Sequence, residues 1–258
     1  MPGIGYPEES CAAVGALMRP YFLAFCLLGA SAWSAPVVIG AEDDWYPYCG
    51  KVGTQAKGMA VDIVTAAFKA AGVDVRLEVM PYARCMAEAK SGKITGCFDT
   101  ARNSTLENDY VWHKPAMFKA RINIYAPAGS SQSNIGVKDL EGRNVAVTNG
   151  YEYGEAFDTN PKIQRSLGNQ DVLGFRKLAA GRVEYAVAYE KVANSIFEKH
   201  PTEFAGKFKA VGITAEPELY IAFTKATPAG AAVAAKFGQG LEAIMKDGKY
   251  KEIESRWR

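Results

Sequence analysis

Five short stretches of this chain place charged and aromatic side chains directly after apolar runs. They are AEDDWYPYC (residues 41–49), MPYARC (80–85), DTARN (99–103), TNGYEYG (148–154) and AYEK (188–191). Arg84 and Arg102 each offer a planar fork that can meet a carboxylate with two parallel hydrogen bonds. A guanidinium at the end of a buried strand is costly to leave unpaired. Arg102 is therefore expected to clamp an arriving carboxylate; an internal pair with Asp99 or Glu107 is the competing reading. Trp45, Tyr46 and Tyr48 sit in a loop too polar for plain core packing and are expected to face a ligand. Tyr82, Tyr151 and Tyr153 stand between ligand and core. Glu190 is a candidate partner for an ammonium group, with a solvated helix start as its alternative. Backbone N–H groups after Gly150, read as a helix start, can hold an anion. Glu42 and Asp99 complete the set of residues expected at the site.

The catalytic inventory is thin. No carboxylates pair at a telling spacing, no nucleophile stands beside a histidine, and His113 and His200 are the only histidines. His113 reads as a loop residue. The expectation is a protein that is not an enzyme and uses no metal or cofactor. A lyase with Glu190, Glu152 or Asp99 as general acid is the enzymatic alternative.

These stretches need strands to carry them. PVVIGAED reads as a buried strand from its β-branched run. In MAVDIVTAAFKAAG, Met59, Ile63, Val64, Phe68 and Ala71 fall near helical spacing, and Gly72 stops the run. VDVRLEVM alternates as a strand, ARCMAEAKSG is a short helix, and KITGCFD is the next strand. Strand–helix–strand–helix–strand implies a parallel sheet with right-handed crossovers. A similar pattern returns in the second half. NVAVTNG is a strand, GFRKLAAGRVEYAVAY a helix and then a strand, ANSIFEKHP a short helix, and KFKAVGI and ELYIAFTK strands. At the C-terminus Thr227 caps a helix that opens with Pro228. Val233, Phe237, Leu241, Ile244 and Met245 form its apolar stripe, and KYKEIESRW makes a last helix.

Extended segments near residues 118–126 and 215–223 separate the two patterns. The expected fold is α/β with two lobes, each a mostly parallel sheet flanked by helices, joined by a two-strand hinge. Residues 33–118 plus 219–258 would form lobe 1, and residues 119–218 lobe 2. Ligands bind beyond the carboxyl ends of strands in open α/β sheets, so a cleft lined by the five stretches is the expected site.

The composition fits that reading. The 258 residues are 48% hydrophobic and 22% charged, with a net charge of +2. That is an ordinary globular balance, and with no basic run it argues against a nucleic-acid partner. Met18-Arg19 is followed by PYFLAFCLLGASA, long enough for the apolar part of an export leader and too short to span a bilayer. Residues 1–32 are read as a signal peptide and the destination as the periplasm; an N-terminal membrane anchor is the competing reading. Glu8 and Glu9 with no cation are wrong for a leader's start, so Met18 is the expected true beginning. Beyond the leader remain Cys49, Cys85 and Cys97. In an oxidising compartment two of them can pair. Cys49–Cys85 is preferred because both follow strand ends on one rim, ahead of Cys85–Cys97 or three thiols.

DLEGRNVAVTNGYEYGEAF, KLAAGRVEYAVAYE and LYIAFTKATPAG…FGQGLEAIMKDGKYKEI together resemble the periplasmic solute-binding proteins that feed polar amino acids to ABC importers. The likeness runs from about residue 36 to the C-terminus. It implies a type II periplasmic binding protein-like fold that closes on an amino acid or related small carboxylate-bearing solute. It also implies a monomer that docks on an ABC permease, or a sensor that reports to a receptor. Trp45 falls where the family stacks an aromatic over its solute, with Glu42, Tyr48 and Tyr82 at neighbouring rim positions. The family's carboxylate-clamping arginine falls at Leu106, and its amino-group acid at Tyr189, with Glu190 beside it. Both anchors are thus absent from their usual places, and Arg102 and Arg84 are the expected substitutes.

Overall fold

This computed structural model describes residues 1–3, 5 and 36–257. The expected leader, with its start at Met18, lies largely outside the described residues.

The first apolar run becomes the strand Val37–Glu42, flanked in parallel by Val75–Met80 on one side and Gly96–Ala101 on the other. Gly96–Ala101 is buried along its whole length, as a strand covered on both faces must be. The strand Glu218–Thr224 returns antiparallel beside it, and Tyr110–Trp112 pairs at the far edge. The helix Met59–Ala70 crosses one face of this sheet and packs on Pro228–Lys246, with Phe68 and Phe237 ring centroids 4.9 Å apart. Thr227 and Pro228 stand at the start of that helix as the sequence predicts. The helix Tyr82–Ser91 covers the opposite face, ended by Gly92 in the left-handed conformation. His113 lies in the loop after Tyr110–Trp112, as expected, and has a packing role there. It is buried against Phe237, and its Nε2 accepts the Ile221 N–H at 2.9 Å.

A second sheet repeats the logic. Asn144–Thr148, Gln164–Gly168 and Tyr185–Tyr189 run parallel, Ile122–Pro127 lies antiparallel beside Tyr185–Tyr189, and Phe208–Ala215 pairs antiparallel with Ile122–Pro127 at the edge. Two adjacent segments connect the sheets. Phe118–Lys119 pairs with Glu218 and Leu219 in the first sheet, and Ile122 pairs with Ala215 in the second. The chain thus changes sheets between Lys119 and Ile122, and again between Ala215 and Glu218. Among the described residues no helix is long and apolar enough to cross a membrane.

The cysteines correct one expectation. Cys85 is bonded to Cys97, with Cα atoms 5.7 Å apart, and Cys49 is a buried thiol. The sheet itself is the reason. Cys85 and Cys97 share an apolar cluster with Val38 under the helix Tyr82–Ser91. Cys49 belongs to the other cluster, with Ile39 and Ala41. Successive strand residues face opposite ways, so Cys49 and Cys85 lie on opposite faces of one sheet and cannot meet. Cys49 instead donates its S–H to the carbonyl oxygen of Glu42 at 3.0 Å.

Candidate functional site

Each parallel strand ends at the gap between the sheets. Glu42 closes the first strand, Asp99 lies at a register shift near the end of Gly96–Ala101, and Tyr189 closes Tyr185–Tyr189. Tyr82 opens the helix after Val75–Met80, and Tyr151 and Glu152 follow Asn144–Thr148. Strand ends and the turns after them therefore deliver five of the expected side chains, and Glu152, to one place. Together with Trp45, they enclose a space of about 10 Å³, on the order of a single water molecule.

The contacts across this space are specific. Tyr82, from the first sheet, donates its hydroxyl to the Glu152 carboxylate of the second at 2.9 Å. The Ala101 N–H also points to Glu152, at 3.4 Å. Tyr151 donates to the carboxylate of Glu42 in the opposite direction. The Tyr189 hydroxyl reaches the Glu152 carbonyl at 3.0 Å. Trp45 stands edge-on to Tyr189 at 4.8 Å and lies 4.5 Å from Tyr48, which in turn stacks on Phe118 at 5.1 Å. Farther out, Ser104 N–H donates to Glu155 at 3.0 Å. A larger space of about 310 Å³ opens at the mouth, bounded by Glu42, Asp43 and Asp44 from one lobe and Asn149, Asn169 and Gln170 from the other.

Burial sets the electrostatics. Glu42 and Asp99 are each 5% exposed, and desolvation pushes both carboxyls well above the ordinary range, with Asp99 and Asp171 raising Glu42 further. Burial likewise lifts Glu152 to about 8, although the hydrogen bond from Tyr82 favours its ionised form. Neither carboxylate oxygen of Asp99 has a hydrogen-bond partner, nor does the Trp45 indole N–H. Asp99 also holds a left-handed backbone, φ 68°, uncommon for any residue but glycine.

The expected arginines go elsewhere. Arg102 pairs with Glu107 on the surface and lies 5.8 Å over the Trp112 ring, so the internal pair is the arrangement adopted. The strand stops at Ala101, and the turn that follows carries Glu107 back to the guanidinium. Arg84 lies on the outer face of its helix, paired with Glu88 one turn on at 2.8 Å. No helix starts after Gly150: residues 151–154 are irregular, and the next helix is the four-residue Glu155–Asp158. Gly150 supplies the left-handed turn, φ 83°, that aims Tyr151 and Glu152 across the gap. Glu190 begins its helix half-buried and accepts from Asn123 at 3.3 Å. Glu152, weighed in the sequence only as a general acid, is the central interlobe contact. Its sole signal there was the aromatic frame YEY. Among the described residues no three His, Cys, Asp or Glu are grouped to hold a metal.

Residues 37–258 match the family of bacterial extracellular solute-binding proteins, family 3. No curated protein matches the chain. Among solved structures, an ancestral arginine-binding protein bound to arginine is 23% identical, with a TM-score of 0.73 over 87% of this chain and 98% of its own. The arginine-, lysine-, histidine-binding protein ArtJ of Geobacillus stearothermophilus is 23% identical, with a TM-score of 0.71 over 86% of this chain and 94% of its own. A histidine kinase sensor domain with similarity to periplasmic binding proteins is 22% identical, with a TM-score of 0.74 over 86% of this chain and 96% of its own. At these identities the likeness carries the two-lobed fold.

Proposed function

The chain belongs to the family 3 bacterial extracellular solute-binding proteins, and from that premise we propose that it captures a small solute between its lobes and delivers it to an ABC importer. The observation that carries this reading is the interlobe cleft itself. Aromatic and carboxylate groups from both sheets meet there, with a cavity of about 310 Å³ at its mouth, within the size of ordinary small-molecule sites. Only a solute touched by both lobes favours the closed form over the open one. The two crossings next to the paired segments Phe118–Lys119 and Glu218–Leu219, at residues 120–121 and 216–217, are the hinge about which the lobes part. The Cys85–Cys97 disulfide supports an oxidising compartment, in keeping with export to the periplasm. Arginine, lysine and histidine, named for the neighbouring proteins, are starting probes.

The test is a thermal-shift screen of amino acids, amines and small carboxylates on purified protein, followed by small-angle scattering with and without each hit. A hit that compacts the protein supports the reading; a screen in which no solute shifts Tm or compacts the particle defeats it. Deleting the gene and measuring uptake of the hit separates transport from a sensory role, which the likeness to a kinase sensor domain makes the second reading.

A further inference from the structure

The cleft is rich in one charge and poor in the other. Glu42, Asp99 and Glu152 border the inner space, Glu42, Asp43 and Asp44 border the mouth, and among the described residues no Lys, Arg or His lines either. The cations nearby are engaged elsewhere: Arg102, which borders an adjoining space with Glu152, is paired with Glu107, Arg165, which borders another, donates to the Phe157 and Asn160 carbonyls, and the Lys199 ammonium rests 4.4 Å over the Tyr46 ring. Groups suited to an anion are already engaged: the Tyr82 hydroxyl and the Ala101 N–H both point to the chain's own Glu152. Asp99 is the reverse case, a buried carboxylate aimed into the space with both oxygens unpartnered. An unpaired buried charge is costly until an opposite charge reaches it. The rings of Trp45 and Tyr189 line the same space as Asp99, and aromatic rings attract cations. The carboxylates are not grouped as a metal site, which leaves a molecular cation.

We propose that the cleft is built for an organic cation, an amine or guanidine with no obligatory carboxylate, held by Asp99 and Glu42 as counter-ions and by Trp45 and Tyr189 as aromatic walls. This rests on the solute-binding reading above and narrows the class that reading left open. It departs from the carboxylate clamp expected of Arg102, which is bound to Glu107 instead.

The test is calorimetry on the purified chain with agmatine and putrescine as cationic probes, arginine as a probe carrying both charges, glutamate and succinate as anions, and calcium chloride. Agmatine or putrescine is expected to bind at least as tightly as arginine, and glutamate and succinate not at all. Asp99→Asn is expected to weaken the amine at least tenfold while keeping a ligand-free Tm at or above that of the unsubstituted chain, because it removes a buried group whose ionisation burial penalises and asparagine accepts a left-handed backbone. Arginine binding without agmatine binding overturns the proposal, as does tighter binding of an anion, calcium competing with the amine, or full amine affinity in Asp99→Asn. Failure of both amines while some other solute compacts the protein overturns this inference and leaves the solute-binding reading standing. Failure of every solute overturns both.

Discussion

Arg102 shows how one side chain can mislead. Its position after a buried strand is real, yet the turn that follows supplies its own carboxylate, and the guanidinium ends at the surface. Arg102→Ala is accordingly expected to change solute affinity less than about twofold, measured by calorimetry, because it contacts no part of the inner space. Gly40 makes a harder demand. A Cβ there would stand 2.4 Å from the Cys85 sulfur and 2.8 Å from Ile94. Gly40→Ala is expected to destabilise the fold by about 1–3 kcal/mol, the usual cost of overpacking, read from denaturant unfolding. The rim residues were visible in the sequence because strand ends break an apolar run with polar and aromatic types. Which of them would find partners was not visible. That depends on turns such as the one at Gly150, whose positive φ rather than its residue type aims Glu152.

Among the elements, the strands that were legible are the buried ones. Val37–Glu42 and Gly96–Ala101 announce themselves by unbroken apolar composition. Gln164–Gly168 passed unnoticed because it is an edge strand, with polar side chains on both faces and Leu167 largely exposed. Edge strands are commonly kept short and polar, which limits stray pairing. Tyr110–Trp112 was missed for its three-residue length. The disulfide was misassigned because a shared rim says nothing about which face of the sheet a cysteine occupies. Its removal is a clean element-scale test. Cys85→Ser with Cys97→Ser opens a link of sequence separation 12 and is expected to cost about 2–4 kcal/mol. Cys49→Ser should leave unchanged the two-hydrogen mass gain on reduction, since Cys49 is free.

Across the whole molecule, buried carboxyls set the response to pH. Glu42, Asp99, Glu152 and Asp171 all bind their protons more tightly when folded, because burial disfavours their charged forms. The stability they contribute is complete below the usual carboxylate range. It is lost as pH rises through the folded values, about 7 for Asp171 and about 8 for Glu152. Ligand-free Tm is therefore expected to fall between about pH 5 and about pH 8. The carboxylates lowered by ion pairs, such as Glu88 and Glu203, act in the opposite sense but only in more acidic solution. A flat or rising Tm across the window would contradict this assignment. The groups that face Glu42 and Asp99 from the packed elements are Tyr82, Tyr151, Glu152 and Tyr189, all neutral when protonated, so no neighbouring base on these elements reverses the sign.

The hydrogen bonds that tie Tyr151 and Glu152 to the opposite lobe have a kinetic meaning. On the proposed solute-binding reading that dipeptide is a stopper lodged where the guest goes: every capture is an eviction, and the apparent affinity is weakened by the fraction of time the stopper stays seated. On the same reading, once the seat is emptied the dipeptide re-enters it and competes with the guest's return.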